Sequence, residues 1–549
     1  MMEDDDAISA VSSDSAAVMP PCSEPSTRLS CSIGTDSDND DVLSPVGSST
    51  DSDNDDVLSA VSSDFDGLDS STSSPSSPPP LSDITKSMVR SLNAIDAQYE
   101  ERLHMNLVIM VALSAASALS IGTGCSGIDV IMPAIAILLQ ELCHHFVLPG
   151  VCWSQAFACE CVVSKQRWLR DVMQATTVFT DLLHLARDAK GFDFVEQRVR
   201  RLQKVFTFTC GFSCKSVSRA NMFRSQFQDC LRQNSGTTGK TFRAAMRIIA
   251  LCQPILVWLE NVAGLSQGDR EYVVKQLERL GYVVVTVISD LRHHGIPCRR
   301  LRIWFLACLM PGVDRVQRTL LQNTATALEL ALRRDPLSIN RFLKTRMDTD
   351  FQDLDVAQIK KQSKREKKNP KWKDLHKNIW TQWRQTRNSG STGRGFPKHW
   401  KAMMHRYRFT ARERDICRLE ISLHRSEHET DQSDHIFFDT SQSAHRVPRG
   451  RNECCTILPS GRILVAQDHE VRPLFGVEAL ALQGVDLASL PNAAAAVHFS
   501  PAFMTDVAGN AYSTPQACLA CFISLCIFDL PNSQVEVRLR RNAATANLR

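Results

Sequence analysis

Cys214 and Glu260 are the residues whose types and surroundings best suit covalent chemistry. Cys214 stands in a tight turn beside Lys215, ahead of a predicted helix, so its thiol is expected to have a lowered pKa and to act as a nucleophile. Glu260 ends a predicted strand. A carboxyl group beside a nucleophilic cysteine suits addition to a pyrimidine, because protonation of ring nitrogen 3 makes carbon 6 electrophilic. The alternative is that Cys214 is an ordinary buried thiol.

A second set of residues is typical of a pocket for an adenosine-containing ligand. The glycine-rich turn at 122–127 follows a predicted strand, and glycines there allow backbone to approach a nucleotide closely. Glu160 ends the next strand and can hold ribose hydroxyls, while Asp181 ends the third and can accept from an adenine amino group. Ligands of open α/β sheets bind at the carboxyl ends of the strands, where these residues are expected to meet. Taken singly, each carboxylate is more often a surface or helix-capping residue.

The elements that must position these residues alternate along the chain. Seven apolar, β-rich runs separated by helical stretches predict an α/β fold with a doubly wound, mostly parallel, seven-stranded sheet that is covered on both faces. The predicted strands are Ala118–Ile121, Ala156–Glu160, Thr177–Asp181, Val205–Thr209, Ile255–Asn261, Tyr282–Ser289 and Arg302–Leu309.

Charge is distributed unevenly around this body. Residues 1–92 contain 18 Asp and Glu against three Lys and Arg, and are predicted to form a disordered acidic arm. Because the whole chain has a formal net charge of +3, the remainder is strongly basic and suits a polyanion such as nucleic acid. The predicted divisions are the arm, a catalytic domain at 93–310, a variable basic recognition region at 311–450, the C-terminal part of the catalytic domain at 451–530 and a basic tail at 531–549.

The lysine-rich segment 360–373 leaves two interpretations open. With Trp372, Trp380, Trp383 and Trp400 it suits contacts to a nucleic-acid backbone and stacking on bases. A solvated basic helix with its tryptophans turned inward fits equally well. The same lysines suggest a nuclear import signal, so the nucleus is the expected location.

Several other functions are not predicted. The acidic N-terminus does not resemble a secretory signal, and every long apolar run is interrupted, so a membrane span is not expected. The 19 cysteines are scattered; Cys518 and Cys521 fit a buried helix, and no metal site is predicted. Gly239-Lys-Thr241 lacks the full phosphate-loop pattern and is expected to be a polar lead into the next helix.

An ordered series of motifs resembles the cytosine-5 DNA methyltransferase family. The motif that carries the nucleophile, Gly211-Phe-Ser-Cys214 with Ser216 and Ser218, is similar to the family's G-F-P-C-Q-x-F-S loop. Glu260-Asn-Val262 matches its E-N-V motif. The later matches are His294–Arg302 to the Y-G-V-P-Q-R-R-x-R segment, Arg472–Gly484 to the segment that supports target recognition, and Gly509-Asn-Ala511 to the late G-N-A/S segment.

This resemblance implies a fold of the S-adenosylmethionine-dependent methyltransferase type and methylation of carbon 5 of cytosine in DNA. The target base would be turned out of its stack, Cys214 would attack carbon 6, and Glu260 would protonate ring nitrogen 3. The other implied site residues are Arg300 and Arg302 at the base and the neighbouring phosphate, and Gly124, Gly127, Glu160, Asp181 and Asn510 at S-adenosylmethionine.

Two alternatives stay open beside this interpretation. Some relatives of the family methylate cytosine in transfer RNA, typically with a C-F-T element that this sequence lacks. The other alternative is a catalytically impaired, methyltransferase-like DNA-binding protein. It is suggested by Ser213, Lys215 and Cys298, which replace a proline and two glutamines of the family motifs. Ser213 is expected to loosen its turn, and Gly122 stands where the family usually has phenylalanine.

Overall fold

The computed structural model describes residues 81–218, 221, 224–227, 229–310, 312–345, 348, 350–355, 381, 403–427, 434–442, 447–459, 461–467 and 470–530. The chain divides into two units, 1–72 and 73–549, and all of these residues belong to the second. The predictions for the arm up to residue 80, for segment 360–373 with its tryptophans and for the tail at 531–549 concern residues outside the described ones and stay predictions.

A nine-stranded mixed sheet forms the centre of the second unit. Its strands are β1 (Leu119–Gly124), β2 (Trp153–Cys159), β3 (Val178–Phe179), β4 (Lys190–Asp193), β5 (Arg198–Arg201), β6 (Thr207–Cys210), β7 (Leu256–Val262), β8 (Tyr282–Asp290) and β9 (Leu301–Leu309). Their order across the sheet is β5-β4-β3-β2-β1-β6-β7-β9-β8. The five strands from β3 to β7 in this order are parallel, whereas β9 runs antiparallel to both of its neighbours.

The prediction of seven strands was wrong in number, although all seven predicted strands are present. The two additional strands, β4 and β5, form an antiparallel hairpin at the edge of the sheet. Most of their side chains are exposed or only partly buried, so the hairpin lacks the continuous apolar run on which the prediction relied. The hairpin and β9 also make the sheet mixed rather than mostly parallel.

Helices cover both faces of the sheet, as the doubly wound prediction requires. Alternate residues of β7 show the two faces: Leu256 and Trp258 pack into one hydrophobic core, and Val257 and Leu259 into the other. The helices are α1 (Leu81–Arg90), α2 (Ala97–Ala116), α3 (Ile131–His145), α4 (Val163–Asp171), α5 (Leu182–Asp188), α6 (Cys230–Gln233), α7 (Gly236–Cys252), α8 (Gln267–Arg279), α9 (Arg315–Ala331), α10 (Ala411–Glu427), α11 (Gly476–Ala481), α12 (Ala493–Ala496), α13 (Pro501–Asn510) and α14 (Thr514–Ile527). Among the described helices, none has the length and apolar character needed to cross a membrane.

The folded body begins earlier than the predicted boundary at residue 93. Helix α1 lies inside the segment assigned to the arm, and it buries Ile84 and Met88 in the core that also contains Trp258; Leu92, in the 3-10 turn that follows α1, is buried in the same core. Their spacing of four residues places them on one face of a helix, so this segment can bury enough apolar surface to fold. The arm prediction for residues 81–92 was therefore wrong.

The predicted recognition region also has different limits. Helix α9 packs against β8 of the main sheet, where the Gln322 side chain bonds to the backbone of Thr286, so it belongs to the catalytic body. A separate antiparallel sheet consists of four strands, β10 (Ile436–Asp439), β11 (Arg449–Arg451), β12 (Ile463–Gln467) and β13 (Glu470–Pro473). Their order is β11-β10-β12-β13, and the sheet extends beyond the expected boundary at 450. Together with α10 it has a hydrophobic core of its own.

Candidate active site

The loop that carries Cys214 leaves the end of β6 and turns sharply. The Cys214 carbonyl accepts hydrogen bonds from the amides of Val217 (3.1 Å) and Ser218 (2.9 Å). Residues 215–217 form a turn, so Cys214 does not stand at the start of a helix. The thiol is half-buried, and burial raises its pKa, although Arg302 acts in the opposite direction. The expectation of a lowered pKa was therefore wrong.

Three hydrogen bonds hold this loop in place. The Asn261 side chain, at the end of β7, donates from Nδ2 to the Phe212 carbonyl over 2.9 Å. The Ser213 amide donates to Thr241 Oγ1 (3.0 Å), and the Ser216 amide donates to the Thr238 hydroxyl over 3.1 Å. The sequence predicts Asn261 at the end of this strand but indicates no role for it or for the threonines.

Ser213 and the segment 239–241 consequently differ from expectation. A proline has no amide hydrogen and could not make the bond from residue 213 to Thr241, so serine supplies a tether where a looser turn was expected. The segment 239–241 lies within α7 and presents Thr241 to the loop, instead of leading into a helix. The replacement of proline is thus compensated locally.

Glu260 and Arg302 form an ion pair beside Cys214. Arg302 Nε lies 2.8 Å from Glu260 Oε1, and the two side chains are only 11% and 12% exposed. The pair is possible because β7 and β9 are antiparallel, with Val262 opposite Arg302. Both charges act on the pKa of the Cys214 thiol, Arg302 lowering it and Glu260 raising it. The structure therefore brings together the three residues with the chemistry inferred from the sequence.

Arg300 is placed differently from Arg302. Its side chain is 3% exposed, and its guanidinium donates to the carbonyls of Gly509 (3.5 Å) and Ala511. Burial lowers its pKa to about 9. Arg300 thus connects the segment His294–Arg302 to the segment Gly509–Ala511. Its contacts position the backbone of the second segment.

Three of the residues predicted to bind the cofactor, Gly124, Gly127 and Glu160, lie at the carboxyl ends of β1 and β2. Gly127, with φ +58°, donates from its amide to Glu160 Oε2 over 3.0 Å. A Cβ on Gly127 would have only the Asn510 carbonyl oxygen within 4 Å, at 3.8 Å, so space is open before this turn. Gly124 differs, because a Cβ there would lie 3.1 Å from Cys210 Sγ. A buried carboxylate acceptor beside an open glycine turn fits the ribose of an adenosine.

Asp181 and Asn510 use their side chains for local contacts. One oxygen of Asp181 caps α5 by accepting from the amides of Leu183 (2.7 Å) and His184 (3.2 Å), and the residue is exposed. Asn510 donates from Nδ2 to Asp506. The structure thus brings Asn510 to Gly127 through its backbone, and it leaves the second carboxylate oxygen of Asp181 available for a ligand.

Two further departures from the family motifs have structural explanations. A Cβ on Gly122 would lie 2.4 Å from Cζ of Phe157, whose ring occupies the space beside β1. Cys298 is fully buried, and the Gln483 side chain donates to its sulfur over 3.6 Å.

Cys518 and Cys521 are buried in α14. Within the described residues, no group of three or more His, Cys, Asp or Glu could hold a metal ion.

The chain matches one protein family and is similar to two curated methyltransferases. The family described as "C-5 cytosine-specific DNA methylase" matches residues 158–517. Type II methyltransferase M.MspI of Moraxella sp is 31% identical over 107 residues, covering 19% of this chain and 24% of that protein. Type II methyltransferase M.NlaX of Neisseria lactamica is 31% identical over 110 residues, covering 19% and 33%. The matched part of the chain thus spans a third or less of these curated relatives.

Solved structures also resemble the chain at low identity. The S. pombe Dnmt2 methyltransferase has a TM-score of 0.39 and 14% identity, and the match covers 74% of this chain and 98% of that one. The Entamoeba histolytica methyltransferase EhMeth has a TM-score of 0.38 and 11% identity, with coverage of 74% and 98%.

Proposed function

Because this chain belongs to the C-5 cytosine-specific DNA methylase family, we propose that it transfers a methyl group from S-adenosylmethionine to carbon 5 of cytosine in DNA. The observation that carries the proposal is the cluster of half-buried Cys214 with the Glu260–Arg302 ion pair. A nucleophile, an acid and a cation beside one another are what addition to a pyrimidine requires.

The chain's own residues account for binding of the cofactor. When bound, S-adenosylmethionine supplies an electrophilic methyl group on a sulfonium. Glu160, already fixed by the Gly127 amide, would accept from the ribose hydroxyls, and the free oxygen of Asp181 would accept from the adenine amino group. The open space before Gly127 admits the nucleoside, and Arg300 holds the Gly509–Ala511 backbone against it.

Each protein residue then has one role in the reaction. The base must leave its stack, because carbon 6 is inaccessible to a side chain within a duplex. The Cys214 thiol gives its proton to water and Sγ bonds to carbon 6, while Glu260, after taking up a proton, delivers it to ring nitrogen 3, so the electron pair of the 5,6 double bond becomes available at carbon 5. After methylation, water removes the carbon-5 proton, the double bond forms again and expels the thiolate, and the proton on nitrogen 3 returns to Glu260. Arg302 orients Glu260 throughout.

Recognition of DNA is assigned to the separate unit of β10–β13 and α10. On the side of α10 this unit has a hydrophobic core of its own, whereas Phe437, Ile463 and Val465 on the other face of its sheet pack into the core of the catalytic body. The surface away from that body can therefore vary without disturbing the catalytic sheet. The unit is connected to the catalytic body through Arg472, whose guanidinium pairs with Glu478 of α11 and donates to the Lys344 carbonyl. A rigid connection of this kind would hold the unit in register with the site.

A trapping experiment tests the proposal. DNA containing 5-fluorocytosine has no proton to lose at carbon 5, so with S-adenosylmethionine the wild-type protein should form an adduct that survives denaturation. Cys214→Ala should form none, whereas Cys152→Ala, which changes an exposed cysteine, should behave as the wild type. A parallel reaction with 5-fluorocytosine-containing transfer RNA separates the substrates. Adducts with RNA alone would overturn DNA as the substrate, and absence of any adduct would overturn the activity.

A further inference from the structure

Cys125 and Cys210 form a pair of thiols that the reaction described above does not use. Cys210 is the last residue of β6, and the parallel register of β1 with β6 places it beside Gly124. Its sulfur would lie 3.1 Å from a Cβ on Gly124, so it fills the space next to this glycine. Cys125 is the next residue of the glycine-rich turn, and it packs against the same hydrophobic core as Cys210. The two side chains are therefore neighbours at the carboxyl end of β1.

A hydrogen bond joins the two thiols. Cys210 donates to the Cys125 sulfur, and this bond together with burial raises the pKa of Cys210 well above its ordinary value, so Cys210 is a neutral thiol. The two residues differ in their access to solvent, because Cys210 is fully buried whereas Cys125 is only partly buried. Cys125 is therefore the member of the pair that a small oxidant from solvent can reach first, and Cys210 is the thiol placed to react with the product.

We propose that Cys125 and Cys210 are a site of reversible oxidation by peroxide that weakens binding of the cofactor. The sulfur of Cys125 takes one oxygen of hydrogen peroxide and becomes a sulfenic acid, and the other oxygen leaves as water. The sulfur of Cys210 then displaces the hydroxyl group from Cys125, and this group leaves with the Cys210 proton as a second water. Two thiols are thereby oxidised to one disulfide, and hydrogen peroxide is reduced to two molecules of water.

A disulfide at this place would distort the turn that approaches the cofactor. Its two sulfurs are about 2.0 Å apart, closer than two thiols in contact, so one of them must move. Cys210 is held in the sheet between β1 and β7, so the movement falls on Cys125. Gly127, whose amide fixes Glu160, is two residues further along the same turn. The effect on the cofactor rests on the proposed function, in which Glu160 binds the ribose.

Mass spectrometry and cofactor binding of the full chain together test the proposal. After treatment with hydrogen peroxide, peptides prepared without reduction should contain a disulfide between Cys125 and Cys210. The oxidised protein should bind S-adenosylmethionine at least about tenfold more weakly in titration calorimetry, and dithiothreitol should restore the affinity. Absence of this disulfide, or a link from Cys125 to Cys159 or Cys214 instead, would overturn the site. A disulfide with unchanged affinity would overturn its effect on the cofactor, whereas reduced protein that binds no S-adenosylmethionine would overturn the proposed function.

A second thiol pair is the control within the same protein. Cys298 and Cys454 are also joined by a hydrogen bond, but both are fully buried. They should stay reduced under conditions that link Cys125 to Cys210, and equal oxidation of both pairs would contradict selection by exposure.

Cys210→Ala separates the two chemical steps. Without the second thiol, peroxide should leave Cys125 as a sulfenic acid, which dimedone labels, whereas the wild type should be labelled little at this residue. Binding of S-adenosylmethionine by the reduced variant shows that it is folded. A folded variant in which dimedone does not label Cys125 would overturn this residue as the point of attack.

Discussion

Arg302 and Glu260 face one another at the ends of β9 and β7, with 2.8 Å between Arg302 Nε and Glu260 Oε1. Both side chains are nearly buried, so neither charge is well hydrated. Removing one partner of such a pair leaves the other uncompensated and commonly costs about 3–5 kcal/mol. Catalysis and local stability are therefore coupled at this pair.

Arg302→Gln should reduce kcat by about 100-fold or more, because Glu260 loses the group that orients it and Cys214 loses a positive charge. Methylation of a cytosine-containing duplex with labelled S-adenosylmethionine measures the loss. Arg299→Gln is the matched control, since Arg299 belongs to the same segment but is exposed and pairs with Glu453. Equal losses in the two variants would contradict a specific role for Arg302.

The raised pKa of Cys214 predicts how its reactivity depends on pH. Below its pKa, the fraction of thiolate increases about tenfold with each pH unit, so alkylation of Cys214 by iodoacetamide should accelerate up to pH 9 without reaching a plateau. Peptide mass spectrometry distinguishes this thiol from the other cysteines. At pH 8, Cys214 should be alkylated more slowly in Arg302→Gln than in the wild type. A plateau below pH 8 would show instead that the free protein holds a thiolate.

The sequence predicted the strands that end at the site but not the contacts that fix it. Apolar runs identify buried strands, and Cys214, Glu260 and Glu160 could be assigned from their positions at strand ends. Contacts such as Arg300 with Ala511 join residues 211 positions apart, and no local pattern reports them. The pKa of Cys214 differs from the prediction for the same reason, because burial by distant residues outweighs the effect of neighbours in sequence.

Ser213 illustrates the same limit at shorter range. Its replacement of a proline predicts a looser turn, because the motif shows that a proline is missing but does not show which contacts the serine makes. The tether to Thr241 comes from α7, whose helical register decides that Thr241 faces the loop. Likewise, the hairpin of β4 and β5 escaped prediction because edge strands with exposed side chains have no apolar signature.

Removing the Thr241 hydroxyl should loosen the nucleophile loop. Thr241→Val keeps the shape of the side chain but removes the acceptor of the Ser213 amide, and we expect kcat to fall about tenfold with KM for DNA little changed. Thr319→Val is the matched control: both hydroxyls donate to the carbonyl four residues earlier in a helix, but Thr319 is exposed on α9. Similar kinetics for both variants would mean that the tether is dispensable.

A side chain at Gly122 should collide with Phe157. The Cβ of Gly122→Ala would lie 2.4 Å from Cζ and 2.6 Å from Cε1 of the ring, so the ring must shift within a packed core. Such overpacking typically costs about 1–3 kcal/mol in the free energy of unfolding, which urea denaturation measures. Combining Gly122→Ala with Phe157→Leu should cost less than the sum of the single changes. Strict additivity would contradict the collision.

Asp129 makes the stability of the glycine-rich turn dependent on pH. Its carboxylate is buried and accepts from Thr123 Oγ1 (2.7 Å) and from Gln155, while its other oxygen has no partner in the described structure. Burial raises the pKa of Asp129 to about 7 from an ordinary value of 3.8. Between these two values the folded protein holds a proton that the unfolded chain has lost. The contribution of Asp129 to the free energy of unfolding therefore falls as pH rises from about 4 to 7, and then levels off.

Asp129→Asn should remove this dependence, because an uncharged amide can accept from Thr123 and has no proton to lose. Relative to the wild type, the variant should gain on the order of 2 kcal/mol in the free energy of unfolding between pH 5 and pH 8. Urea denaturation of both proteins at the two pH values gives this difference, and groups that titrate alike in both cancel from it. If the free energy of unfolding of Asp129→Asn differs from that of the wild type by the same amount at pH 5 and at pH 8, Asp129 stays ionised in the folded protein. The turn would then hold a buried carboxylate whose charge is stabilised by Thr123 and Gln155 alone.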